Sequence, residues 1–305
     1  MSFTLGSPPL FSRGTVPRAA ELRGNHGEAR QAWPAAQVLL VDARGRFGLD
    51  GDGMRWTPGP QVGEEPPEGA VLLGVDGETY RWALRVDEVA EPAGDARTAG
   101  FHLDGDDAGL LVTALGLLNW HDSAQFSPTT GQPTAVEKSG WVRRDLSCGR
   151  EEFPRTDPAI ITVVHDGADR VLLGRQAVWP DRWYSTLAGF VEPGESLEQC
   201  VIREVYEEVG ITVSQPRYLG SQPWPFPRSL MVGFAAVGDP EEPLRFLDGE
   251  IADAAWFTRD QVREALTAKE WTDPEGVDDG PPAPLRLPGS VSIARTMIEA
   301  WAAAD

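Results

Sequence analysis

The chain has 305 residues, a mass of 33.1 kDa and a formal net charge of -20. That length suits two domains, and an apolar fraction of 41% is enough to bury a sizeable core. The acidity argues against nonspecific DNA or RNA binding, because such a chain repels a phosphate backbone at long range, whereas a small phosphorylated substrate is allowed if metal ions offset the charge.

Residues 1–24 carry prolines and arginines but no apolar h-region, so no signal peptide is predicted. Residues 1–35 are polar and irregular, with one helical turn near 19–23. Apolar runs at 37–41, 70–75 and 79–86, separated by turns rich in Asp, Gly and Pro, predict a small antiparallel sheet. Residues 107–126 read as a helix with Asp106 or Asp107 as N-cap. Its apolar run, 108–120, is the longest in the chain and too short to span a bilayer, so no membrane contact is expected. These elements make a first α+β domain, 1–126. Residues 127–155 show little regular pattern and read as a connector.

The character changes at 157. An apolar strand at 159–164 is followed, after Asp166-Gly167, by a hairpin partner at 171–174. A glutamate-rich helix comes next, then strands at 231–237 and 254–257 and a helix at 259–268. Residues 272–289 read as a loop rich in proline and acid, and 290–303 as a closing amphipathic helix. This second domain is 156–305. The two cysteines, Cys148 and Cys200, make no disulfide framework and fit a reducing, cytoplasmic setting. His26, His102, His121 and His165 show no ligand spacing and read as structural or surface residues.

The glutamate helix carries the chemistry. Ser196-Leu-Glu-Gln199 is a capping box that starts it at Leu197, and Gly210 suits the left-handed position that ends it. Leu197, Val201 and Val205 fall on one apolar stripe. Glu204 and Glu208 lie beside that stripe, at the edge of the core, and Glu207 lies further round. Like charges three or four residues apart repel, so this crowding does not serve helix stability. Partly buried clustered carboxylates stay ionised only with a cation, and hard oxygen donors with no nearby histidine favour Mg²⁺ or Mn²⁺ over zinc. Such a site suits hydrolysis of a phosphoric anhydride. Arg203 reads as an ion-pair partner of Glu195.

The full spacing is Gly189, five residues, Glu195, seven residues, then Arg203-Glu204-Val205-Tyr206-Glu207-Glu208-Val209-Gly210-Ile211. It resembles, without a gap, the box that defines the Nudix hydrolases. The resemblance implies a loop–helix–loop on an α/β/α sandwich and cleavage of a nucleoside diphosphate linked to another moiety. It implies Glu204, Glu207 and Glu208 as metal ligands, the carbonyl of Ala188 as a further one, and either Glu207 or Glu208 as the base.

The substrate signal lies elsewhere, in Ser221-Gln222-Pro223-Trp224-Pro225-Phe226-Pro227-Arg228-Ser229. Three prolines stiffen it, Trp224 and Phe226 offer flat faces, and Gln222, Arg228 and Ser229 offer polar groups. Placed just after the box, it resembles the signature of NAD(H) pyrophosphatases of the NudC type. The likeness extends to Phe153-Pro154-Arg155, Asp157-Pro158-Ala159, Gly249-Glu250-Ile251 and the closing Pro288-Gly289-Ser290 with Ala294. It implies an Mg²⁺- or Mn²⁺-dependent homodimer that cuts NAD(H) to NMN(H) and AMP, with Phe153 and Phe190 as further pocket aromatics, Glu250 at the metal and Ala294 near the substrate. Removal of an NAD cap from the 5′ end of RNA uses the same bond. A Nudix-fold sensor that binds without cleaving is a third reading, but it would be expected to lose box carboxylates or add a basic DNA-binding module.

One departure concerns the connector. Related proteins often carry a zinc ribbon of two Cys-x-x-Cys pairs there. The corresponding positions here are Ser127, Thr130, Asp145 and Cys148, so the expectation is a degenerate ribbon without structural zinc, held by packing. Cys200 reads as buried filler.

Overall fold

A computed structural model describes residues 2–24, 26–246, 249–267 and 285–304. The chain forms two units, one of Met1–Leu10, Asp157–Gln222 and Ser229–Asp305, the other of Phe11–Thr156 and Pro223–Arg228. The expected 272–289 loop lies outside the described residues over 272–284, as does residue 268 of the expected 259–268 helix.

In the second of these units the apolar runs become strands β1 (Ala36–Asp42), β2 (Arg46–Asp50), β3 (Val71–Asp76) and β4 (Thr79–Val86) of a seven-stranded sheet. Short strands at Gly53–Met54, Trp56–Pro58 and Ala93–Asp95 complete it. The sheet is mixed, which corrects the antiparallel expectation. β1 and β4 run parallel, from Ala36 opposite Tyr80 to Asp42 opposite Val86. The cause is non-local: Val38, Leu72 and Trp82 share one core, and that packing, not turn chemistry, chooses the partner strand.

Helix α1 (Gly105–Ser123) starts earlier than the sequence suggests, because Asp104 is the cap and accepts from the Asp107 N–H at 2.8 Å. Asp106 is otherwise engaged, accepting from the Thr15 N–H and hydroxyl. The chain at Gly14 lies directly on Gly109, where a Cβ would come within 2.8 Å of the Gly14 Cα. The connector is more regular than its sequence suggests. β5 (Thr134–Glu137), β6 (Val142–Asp145) and β7 (Glu151–Glu152) form a three-stranded antiparallel sheet.

The other unit is built on β8 (Asp157–His165), β9 (Arg170–Gln176), β10 (Leu187–Phe190), β11 (Val213–Trp224), β12 (Ser229–Gly238) and β13 (Ile251–Thr258). The order is β11-β12-β8-β9-β13, with β10 paired to β8. Successive residues of β8 point to opposite faces. Ile160 and Val164 join the core beneath α2 (Leu197–Val209), whereas Ile161 and Val163 join the core beneath α3 (Arg259–Leu266) and α4 (Ile293–Ala303). The result is an α/β/α sandwich. Among the described residues no helix is long and apolar enough to cross a membrane.

Candidate active site

The site grows from the two ends of α2. Ser196 accepts from the Gln199 N–H while the Gln199 side chain accepts from the Ser196 N–H, closing the capping box. Gly210, at φ 75°, ends the helix in the left-handed region where glycine is strain-free. Between these stops Val201, Val205 and Val209 are fully buried. The register therefore puts Glu208 in the core's edge at 3% exposure, Glu204 half-buried above it and Glu207 outward.

Strand β10 backs the helix. A Cβ at Gly189 would lie 1.9 Å from the Glu204 carboxyl carbon, so the carboxylate occupies the space a side chain at 189 would take. Ala188, whose carbonyl is the expected further ligand, is fixed opposite Ile161 by the β8 ladder. Burial raises the Glu204 carboxyl above its usual range. Arg203 opposes that shift, while the Glu207 and Glu250 charges add to it. Glu250, exposed at the end of β12–β13, is thus within electrostatic reach of Glu204.

Arg203 does more than the expected pairing with Glu195. Its Nε and Nη2 donate to Glu195 at 2.8 Å each, and its Nη1 lies 2.9 Å from Glu204 and 2.8 Å from Glu207. A further bond reaches the Phe190 carbonyl at 3.0 Å. The guanidinium holds the Glu195 carboxyl down to about 2, and the surrounding carboxylates raise its own already high pKa. Among the described residues no three His, Cys, Asp or Glu side chains close into a metal cage. Arg203 draws Glu204 and Glu207 toward itself. The donors still fit a divalent cation: three hard carboxylates on one short helix, one of them buried, against a strand with no side chain at 189.

The other expected residues divide. Phe153 and Phe190 are exposed at 54% and 58%. Trp224 and Phe226 meet edge to face at 5.0 Å between centroids, and Pro225 is buried between them in sequence. Pro223 is half-buried, Pro227 and Arg228 are exposed, and Ser229 is buried at the start of β12. Two of the residues are held inside the fold. Gln222 is 0% exposed and spends its amide on the backbone, donating to the Val291 carbonyl at 2.7 Å and accepting from the Ile293 N–H at 2.5 Å. Ala294 is buried in the α4 core, and its N–H donates to the Ser292 hydroxyl.

Sequence reading missed Tyr184. Its hydroxyl donates to Asp253, tying the chain before β10 to β13, and burial followed by that bond pushes the phenol up to about 12. It sits outside every periodic run, so only the fold reveals it.

At the connector's expected ribbon positions, an Asp145-centred hydrogen-bond hub replaces a thiolate set. The carboxylate accepts from Thr130, from the Ser147 hydroxyl at 2.6 Å and from the Ser147 and Cys148 N–H groups at 2.8 and 3.3 Å. These bonds, Ser147 and Thr130 first, hold the acid far below its usual range. Ser127 also donates to Glu152 at 3.2 Å.

A profile of the NUDIX domain matches residues 155–278. The chain is 50% identical over 313 residues to the NAD-capped RNA hydrolase NudC of Mycobacterium bovis, covering 100% of this chain and 98% of that one. The protein of the same name from Mycobacterium tuberculosis is 49% identical with the same coverage. A mitochondrial NAD(P)H pyrophosphatase of Mus musculus is 42% identical over 207 residues, 67% of this chain and 58% of that one. With the glutamate helix seated on its α/β/α sandwich, the chain belongs to the Nudix hydrolase family and is an enzyme of that class. Within it the chain is of the NudC type, matched along its whole length.

Proposed function

We propose that this protein is a divalent-metal-dependent NAD(H) diphosphatase, cleaving the pyrophosphate of NADH and NAD⁺ to NMN(H) and AMP. One observation carries the reading: Glu204, Glu207 and Glu208 crowd one capped helix whose Glu204 fills the gap left by Gly189. A bound Mg²⁺ or Mn²⁺ would neutralise phosphate oxygens and make water a stronger acid. Glu204, Glu207, Glu208, Glu250 and the Ala188 carbonyl are the proposed ligands. Glu207 or Glu208 takes the proton from the attacking water, and Arg203 with Glu195 fixes the carboxylates.

Trp224 and Phe226, held in Pro223–Arg228, are the proposed nicotinamide-side surface, with Arg228 and Ser229 beside them in sequence. Phe153 and Phe190 are large exposed aromatics, which supports a homodimer whose partner covers them. The unpaired thiols support a cytoplasmic setting, and the Asp145 hub supports a connector without zinc. A second reading, removal of the NAD cap from RNA, is favoured by the names of the relatives at 50% and 49% identity. No DNA or membrane partner is proposed.

The test is AMP release from NADH with Mn²⁺ or Mg²⁺. Glu207→Gln and Glu208→Gln should each lower kcat by about 10²-fold or more, as loss of a general base or metal ligand does. A wild-type protein that binds NADH without releasing AMP would sink the enzymatic reading and favour a sensor.

A further inference from the structure

Pro223–Arg228, from the end of β11 up to β12, belongs to the same unit as Phe11–Thr156. Proline has no N–H, so this run cannot pair as a strand, and its carbonyls need another donor. Asn119 of α1 supplies it. Its Nδ2 donates to the Pro225 carbonyl at 3.0 Å and to the Pro227 carbonyl at 3.1 Å.

The amide is itself oriented. Arg85 of β4 donates to Asn119 Oδ1 at 2.9 Å, to Asp122 at 2.7 Å and to the Asp42 carbonyl of β1 at 2.6 Å. A guanidinium on the oxygen end and two carbonyls on the nitrogen end admit only this orientation. Two rings are held as well. The Arg97 guanidinium lies 4.4 Å from the Phe226 ring centroid, covering one face, and Phe11 tilts against Trp224 at 6.1 Å. A line of bonds thus runs from β1 through β4 and α1 to the segment.

We propose that Asn119 and Arg97 are specificity-determining positioning residues that hold Trp224 and Phe226 in place for the nicotinamide half of the substrate. This rests on the diphosphatase reading above. The pyrophosphate chemistry does not depend on the clamp, so its loss should be felt by a nicotinamide dinucleotide and not by a substrate that lacks the base.

The experiment compares NADH with ADP-ribose, which carries the same pyrophosphate and adenylate but no nicotinamide. Asn119→Asp keeps the Arg85 contact, removes the donated hydrogens and sets a carboxylate oxygen against the two carbonyls. It should raise KM for NADH by about three- to tenfold, the weight of a lost hydrogen-bond pair, with kcat nearly unchanged. Its kcat/KM for ADP-ribose should stay within about twofold of wild type. Arg97→Ala, at an exposed side chain, should shift the same ratio by about two- to fivefold and decides the matter if the Asp variant does not fold. Equal losses on both substrates, or no change on either, would overturn the clamp while leaving the diphosphatase reading intact. A wild-type protein inactive on both substrates would overturn that reading and the clamp with it.

Discussion

At the residue scale the decisive contrast is between glutamates and a glutamine. Helical spacing alone set Glu204 and Glu208 at the edge of the core and Glu207 further round, because a capped helix on an apolar stripe leaves no other register; that Glu208 is the more buried of the pair is visible only in the fold. Gln222 was not legible in the same way. A glutamine among prolines and aromatics reads as a substrate contact, yet its amide is turned inward to the start of α4. Nothing in the sequence distinguishes a ligand from a backbone tie 69 residues away. Gln222→Leu would leave a buried carbonyl and N–H unpaired, costing about 3 kcal/mol. Urea unfolding should show this loss in midpoint, while KM for NADH stays unchanged in the folded fraction. A raised KM with unaltered stability would return Gln222 to the substrate.

At the scale of elements, local signals were read well and non-local ones were not. The box helix, the β8–β9 hairpin and the run at 79–86 follow from caps, turns and apolar spacing. The parallel β1–β4 pairing and the connector sheet depend on distant partners and left no local trace. The join between α1 and the connector is of this second kind. His121 of α1 is buried, with Nε2 at 2.8 Å from the Gly140 carbonyl and Nδ1 at 3.1 Å from the Arg143 guanidinium. The guanidinium can only donate, so Nδ1 accepts and the imidazole is neutral. Burial first, and Arg143 second among the lowering influences, takes it from 6.5 to about 4. The unfolded chain therefore binds a proton that the folded chain refuses between those values. The stability from this neutral imidazole is fully present above 6.5 and is lost as pH falls toward 4, by about 3 kcal/mol in all. Denaturant midpoints should fall over that window, and His121→Gln, which cannot titrate, should flatten the curve. An equally steep fall in the Gln variant would refute the assignment.

At the scale of the whole molecule the net charge of -20 separates the two candidate substrates. NADH and NAD-capped RNA present the same bond, but the RNA brings a train of phosphates that this chain repels. The repulsion reaches about 30 Å at 0.01 M salt and about 8 Å at 0.15 M. NADH, with its single pyrophosphate, feels little of the change. The ratio of kcat/KM for NAD-capped RNA to that for NADH should therefore rise with salt over this range, by about threefold or more. Proteins that grip nucleic acid through basic patches show the opposite slope, because they release counterions on binding. Residues 1–35 hold an arginine-rich stretch that could act so, Arg13, Arg18, Arg23 and Arg30, with Arg18 and Arg23 stacked at 5.8 and 3.4 Å from the Trp141 ring centroid. The measurement is initial rate on both substrates at fixed Mg²⁺ across a NaCl series. A ratio that falls as salt is added would refute the repulsion argument, and loss of that slope on charge reversal at Arg13 and Arg18 would assign those arginines to the RNA body.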